Sequence, residues 1–134
     1  MRNLLDKLFG DAAEPGASED DLHRAALALL YEVARAEAMR RMGMTYKEME
    51  ERGVVMPIAD MHIKYIRPAH YDNLLTIQTH VPELPRSRMH FDYEIFNENG
   101  KLINKGYTVL AFIKKETGRP CAAPEWFLNK LNEL

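Results

Sequence analysis

Apolar positions recur every three or four residues from Ser18 to Gly43, SEDDLHRAALALLYEVARAEAMRRMG, and this spacing predicts one long helix. Leu22, Ala26, Leu29, Val33 and Ala36 fall on one face, and Leu27, Leu30, Tyr31, Ala34 and Ala38 widen it. Ser18 can cap the first turn, with Asp21 three residues on. Glu19, Asp20 and Asp21 put negative charge at the positive end of the helix dipole, and Arg40 and Arg41 put positive charge at the other. Gly43 suits the left-handed residue that ends a helix. A helix lying on a surface needs only a narrow apolar stripe. A face this broad predicts a helix wrapped by another element.

Beyond it the period changes from 3.6 to 2. Thr45 and Glu48 form a second capping box for a short helix, Tyr46 to Arg52, ended by Gly53. Ala59, Met61, Ile63 and Tyr65 alternate with Asp60, His62 and Lys64, a half-buried strand stopped by Pro68. PAHYDN reads as a turn, and LLTIQTHV as a strand with Leu75, Ile77, Thr79 and Val81 on one face. PELPR is a loop. In SRMHFDYEIFN, Met89, Phe91, Tyr93 and Ile95 alternate with Arg88, His90, Asp92 and Glu94. Asn99-Gly100 is a hairpin turn. KLINKGYTVLAFIKK is the most apolar strand and is therefore placed centrally, with Gly106 marking a bulge or bend. Thr117 to Pro120 turns the chain into a terminal helix, Pro124 to Leu134, whose Trp126, Phe127 and Leu131 pack back.

Upstream, Arg2 to Phe9 reads as a short amphipathic helix and Gly10 to Ala17 as a linker. The expected organisation is an N-terminal helix and linker over residues 1–17, then one α+β domain over residues 18–134. In that domain a four-stranded antiparallel sheet curls around one helix. Composition adds limits. The 134 residues are 46% hydrophobic and 28% charged, enough for one core, with a net charge of −2 spread along the chain. That balance excludes a general nucleic-acid binder but not a local basic patch for a phosphorylated ligand. No apolar run reaches the roughly 20 residues of a membrane span. Residues 1–10 lack the pattern of a secretory signal, and Cys121, the single cysteine, excludes an internal disulfide. These point to the cytoplasm.

His62, His80 and His90 fall on polar strand faces, and His80 could oppose His90 across a hairpin. A solvated sheet face explains them better than zinc, which needs tight convergence and a fourth ligand. His23 and His70 read as surface residues. Cys121 has no histidine partner in any motif, so no metal, cofactor or thiol nucleophile is expected. Met39, Met42, Met56, Met61 and Met89 sit at core spacing.

Four stretches carry a family resemblance: YEVARAEAMRRMGMTYKEMEERG, DMHIKYIRPAHYDNLLTIQTHV, LPRSRMHFDYEIFNENGKLINKGYTVLAFI and TGRP. From about Tyr31 to Leu131 the chain resembles the hotdog-fold acyl-CoA thioesterases of the 4-hydroxybenzoyl-CoA thioesterase type. That resemblance implies a sheet wrapped around a central helix, a homodimer or larger homo-oligomer, and acyl-CoA bound at the dimer interface. It also implies a first strand and a loop of the type D-x-D-x-x-G-x-V-Y-H-x-N-Y, which supplies the catalytic aspartate. Nothing before Tyr31 matches that strand or that loop, so the usual first strand is expected to be missing. Residues 1 to about 36, with LLDKLFG, SEDDLH and AALALLYEVARA, instead resemble the opening of tellurite-resistance TerB-like helical domains. The two resemblances meet between Glu32 and Glu37, as in a recombined or engineered chimera or a diverged natural N-terminus.

Thioester hydrolysis needs a carboxylate to attack or to activate water, and N–H donors for the oxyanion. Other hotdog subfamilies carry that carboxylate on the central helix, so the resemblance leaves Glu32 and Glu37 as catalytic candidates. The competing expectation pairs Glu37 with Arg40 or Arg41, and Glu32 with Arg35. Asp20 and Asp21 read as first-turn residues that complement the dipole. By motif, Arg86, Ser87 and Arg88 fall where the family's basic residues meet the phosphates of coenzyme A, with Lys64 and Arg67 as weaker candidates. Two functions stay open: an acyl-CoA thioesterase impaired by the absent loop, or a hotdog scaffold that serves assembly or binding.

Overall fold

A computed structural model describes the backbone of residues 19–69 and 74–134, with side chains from Arg24 onward. The expected N-terminal helix and linker over residues 1–17, the Ser18 cap, the side chains of Leu22 and His23, and the turn residues from His70 to Asn73 lie outside the described residues. The chain divides into two compact units, Met1–Val33 and Ala34–Leu134.

The first element, α1, is Glu19–Arg41, close to the span that the periodicity predicts. Its buried side matches the expected one in part, with Ala26, Leu27 and Tyr31 buried as anticipated. Val33 is 55% exposed and Ala36 is exposed, whereas Leu27, Tyr31, Arg35 and Met39 are all buried. That line has a strict four-residue spacing and includes an arginine. A charge in the buried stripe breaks the apolar pattern, so periodicity alone selects a neighbouring face.

Within the second unit, α2 is Tyr46–Glu51. Its cap is the one expected: the Thr45 hydroxyl accepts from the Glu48 N–H at 3.1 Å and lies 3.2 Å from the Glu48 carboxylate. Gly43 and Gly53, at φ of +93° and +90°, end the two helices in the left-handed region. Six strands follow: β1 (Val54–Val55), β2 (Ile58–Tyr65), β3 (Thr76–His80), β4 (Arg88–Phe96), β5 (Leu102–Ala111) and β6 (Ile113–Lys114). The last element is α3, Glu125–Asn132.

The expected four-stranded antiparallel sheet is present in the order β2-β5-β4-β3, with β5 inside it as its apolar content requires. The stretch 101–115 is not one strand, however. It breaks at Phe112, and β6 leaves to pair with β1 in a separate ribbon. Phe112 is fully buried and its ring meets that of Phe127 on α3, 6.1 Å away, which anchors the C-terminal helix. Trp126 takes the Arg52 guanidinium over its ring at 4.8 Å. Gly106 marks no bulge: it stays in register with Ile63 and Tyr93. The irregularities fall at Ile58/Asp60 and Ile95/Phe96, near strand ends, where fewer flanking pairs hold the register. At the β4–β5 turn, the Asn97 side-chain oxygen accepts from the N–H groups of Asn99 and Lys101, and Gly100 sits at φ +74°.

Each strand has two distinct faces. On β4, Met89, Phe91, Tyr93 and Ile95 are buried, opposite Leu110, Thr108, Gly106 and Asn104 of β5. The last turns of α1 lie on this inner face. Arg35 is 5% exposed and donates from Nη1 to the Tyr93 hydroxyl at 3.3 Å, and that hydroxyl is 2.7 Å from Thr108 Oγ1. The expected Glu32–Arg35 ion pair is therefore not made. Arg35 is drawn into the core and spans to β4. Burial by itself lowers the Arg35 pKa, but the bond to Tyr93 and the nearby Tyr46 phenol outweigh this, and the group stays above its ordinary value and charged. Burial pushes the Tyr93 phenol up, against its bonds to Thr108 and Arg35.

Two consequences are testable by urea denaturation. Tyr93→Phe leaves a buried guanidinium with one acceptor fewer and is expected to cost about 1–3 kcal/mol. Arg35→Met keeps the volume and removes the charge, so it is expected to stay within about 1 kcal/mol of the parent. The opposite ranking would show that Arg35 contributes through its charge. Because the Tyr93 pKa is raised in the folded state, its contribution is complete below the unfolded phenol value of roughly 10 and lost as pH rises through the folded one. The alkaline loss of stability should flatten in Tyr93→Phe.

Candidate functional site

The two helix carboxylates differ in surroundings. Glu37 accepts from Arg40 Nη2 at 2.6 Å and Nε at 3.1 Å, and from Arg41 Nε at 3.2 Å. The bonds from Arg40 and then Arg41 hold its carboxyl below the usual carboxylate range. This is the pairing that helical spacing anticipates, and it keeps Glu37 ionised and occupied at neutral pH. Glu32 is exposed and makes no ion pair among the described residues.

Arg86, Ser87 and Arg88 are exposed and sit together where the β3–β4 loop enters β4. The C-terminal segment runs beside them, since the Ala123 N–H donates to the Arg86 carbonyl at 2.6 Å. Arg88 pairs in register with Ala111. Arg67 is engaged elsewhere: its Nη1 donates to the Leu102 carbonyl at 2.7 Å. Cys121 is half-buried, with its N–H bonded to the Phe112 carbonyl.

The polar residues of the strands assemble into something that alternation alone does not convey. On the outer face His62, Tyr107, Asp92 and His80 form one row across β2, β5, β4 and β3. Lys64, Lys105 and Glu94 form the next row. Between the rows a groove encloses about 440 Å³, floored by the backbone at Tyr93 and Gly106. The register corrects one expectation: His80 faces Asp92, not His90, because the hairpin aligns five pairs from Thr76↔Phe96 to His80↔Asp92. His90 Nε2 lies 2.7 Å from Asp92 Oδ1 instead. The His90 and His62 rings both stack against Tyr107, at 5.1 and 5.7 Å. Among the described residues no three histidine, cysteine or acidic side chains converge as a metal site. Lys105 and Tyr107 carried no signal of their own in the sequence, since both simply occupy outward positions of an alternating strand.

The β2 strand closes one side of the sheet and has no strand beyond it among the described residues. Unlike β4, it buries neither face: Ile58 is 47% exposed and Met61 38%.

Glu37→Gln is expected to lower thermal stability only slightly at neutral pH, as an exposed pair should. A carboxyl with a lowered folded pKa stabilises above its unfolded value of about 4.3 and loses that contribution as pH falls through the folded one. The gap between parent and variant in thermal unfolding should therefore close on acidification. A gap that widened would contradict the ion pairing.

Comparison with known proteins gives a consistent picture. DHNA-CoA thioesterase from Staphylococcus aureus has a similar structure, with a TM-score of 0.75, 29% identity and coverage of 92% of this chain and 87% of that one. A thioesterase from Thermus thermophilus, solved with coenzyme A and zinc, matches at a TM-score of 0.63 and 27% identity, over 81% and 77% of the two chains. The acyl-CoA thioester hydrolase YbgC of Escherichia coli is 24% identical over 104 residues, 78% of each chain. Residues 21–131 match the thioesterase-like superfamily, unbroken across the Glu32–Glu37 stretch where the two resemblances meet, and leave residues 1–20 outside. No described helix is long and apolar enough to cross a membrane. With its antiparallel sheet, the last turns of its helix on the inner face and this match, the chain belongs to the thioesterase-like superfamily and has the hotdog fold.

Proposed function

We propose that this protein hydrolyses an acyl-CoA thioester to the free acid and coenzyme A, and that it does so as a homodimer. The observation that carries the reading is the superfamily match over residues 21–131, supported by relatives named for acyl-CoA thioester hydrolysis and by a similar thioesterase solved with coenzyme A. The chemistry asks for a carboxylate beside the thioester carbonyl and for N–H donors at its oxygen. Of the two helix candidates, Glu32 takes the catalytic role, because Glu37 is committed to Arg40 and Arg41. Arg86, Ser87 and Arg88 hold the phosphates of coenzyme A: two guanidiniums and a hydroxyl, all exposed, at the start of one strand. The second copy adds its β2 to the open β2 edge and covers Ile58 and Met61, as exposed edges with apolar side chains favour.

A second reading has one specific observation behind it. No residues before Tyr31 match the family loop that carries the catalytic aspartate. On that reading the protein keeps the hotdog scaffold for assembly or binding and has lost hydrolysis. A separate, TerB-like origin of the N-terminal residues, in a recombined or engineered chain, belongs with this alternative.

Release of thiol from short, long and aromatic acyl-CoAs separates the two. Under the first reading turnover is saturable, and Glu32→Gln lowers kcat by about a hundredfold or more. Glu37→Gln leaves it within about twofold, and Arg86→Ala with Arg88→Ala raises KM more than it changes kcat. Folded protein with no turnover on any acyl group would establish the scaffold reading. Independently, sedimentation should give the mass of two chains, and Met61→Lys on the β2 edge should halve it.

A further inference from the structure

The outer groove is not a uniformly polar surface. Its charge changes along its length. His62 and Lys64 stand at the β2 end, Lys105 and Tyr107 midway on β5, Asp92 and Glu94 on β4, and His80 beyond them on β3. On both walls the basic side chain of β2 and the acid of β4 lie two strands apart. Nothing in folding asks for this. Lys64 and Lys105 are directly opposite one another in the register, an arrangement that disfavours the sheet. Lys105 also faces Glu94 across β4, yet the two make no ion pair, and neither does Lys64, among the described residues. Among those residues Asp92 is the one charge in the groove with an ion-pair partner, His90.

The dimensions follow from the sheet. Two strand spacings, roughly 10 Å, separate His62 and Lys64 on β2 from Asp92 and Glu94 on β4, with Lys105 one spacing from each strand. The two rows are two residues apart along the strands, about 7 Å. The groove therefore runs across the strands as a slot with opposite charge at its ends and an aromatic wall. Its floor is backbone already paired within the sheet, so an added strand has no free groups to bond there.

We propose that this groove is a binding site for an elongated zwitterion about the length of a tripeptide, its anionic end held by Lys64 and His62 with Lys105 beside them, and its ammonium by Glu94 and Asp92. Three extended residues span about 10 Å, which matches the separation of the ends. A single amino acid spans from Lys105 to Glu94 but is too short to reach from β2 to β4. A ligand charged at one end only meets attraction at one end and an unbalanced pair of like charges at the other. The site is separate from the thioester chemistry and needs neither Glu32 nor Arg86, Ser87 and Arg88.

The test uses triglycine as the probe and the full chain, followed by amide chemical shifts. Triglycine should move the amides of Tyr93 and Gly106 in the floor and the ring signals of His62. Glycine, N-acetyl-triglycine and triglycine amide should bind at least severalfold more weakly. Lys64→Gln with Lys105→Gln, and separately Glu94→Gln, should each weaken triglycine by about five- to tenfold, the scale of one or two exposed charge pairs. Equal shifts from triglycine and its two capped forms would sink the proposal. So would an absence of shifts at tens of millimolar, including the case where a second copy covers this face. The capped peptides test the idea without any variant, and thiol release is not part of the readout, so the outcome is independent of whether the protein hydrolyses acyl-CoA.

Discussion

A buried guanidinium joins the helix to the sheet. Arg35 reaches from the second half of α1 to the Tyr93 hydroxyl on β4, and that hydroxyl continues to Thr108 on β5. Three elements are fixed by one chain of polar contacts inside an apolar layer. Such a link adds little net stability, because desolvating a charge offsets most of what its bonds return. Its effect is on alignment. Apolar contacts between a helix and a sheet tolerate sliding, whereas a buried donor has few positions in which its bonds are made. With Arg35 placed, Met39 and the helix end at Gly43 are placed as well.

The sheet depends on that alignment through β4 and β5. These inner strands pair along nearly their whole length, and the inward residues of β4 are all buried. The outer strands are less committed. β3 buries nothing fully, and β2 leaves both faces largely open. The molecule is thus closely packed where helix and sheet meet and unfinished at the β2 edge.

The candidate residues separate in the same way. Glu37 and the two arginines after it are satisfied locally, by helical spacing that any reader of the sequence can count. Glu32 and the Arg86–Arg88 run are exposed and make no ion pair among the described residues. The outward rows of the sheet belong to a third class. His62, Lys64, Asp92, Glu94, Lys105 and Tyr107 come from three strands and look ordinary on each. Only cross-strand pairing sets the bases of β2 and the acids of β4 into one groove.

Whatever depends on neighbours a few residues away is legible in the chain itself. The helix spans, the Thr45–Glu48 cap, the glycines that end both helices and the Asn99-Gly100 turn all rest on bonds between residues two to four apart, and the alternation of β4 rests on a fixed period. The order of the strands was partly legible because the most apolar one belongs inside. Long-range packing settled the rest. It turned α1 so that its buried line runs through Arg35, which apolar counting cannot reveal, since the charge is tolerated through Tyr93, 58 positions away, and the Tyr46 phenol. It broke the last strand at Phe112 because that ring is needed against Phe127. It set His80 against Asp92 through the hairpin register, and so composed the groove. Contacts between residues far apart in the chain depend on which surfaces meet, and no local pattern encodes that choice.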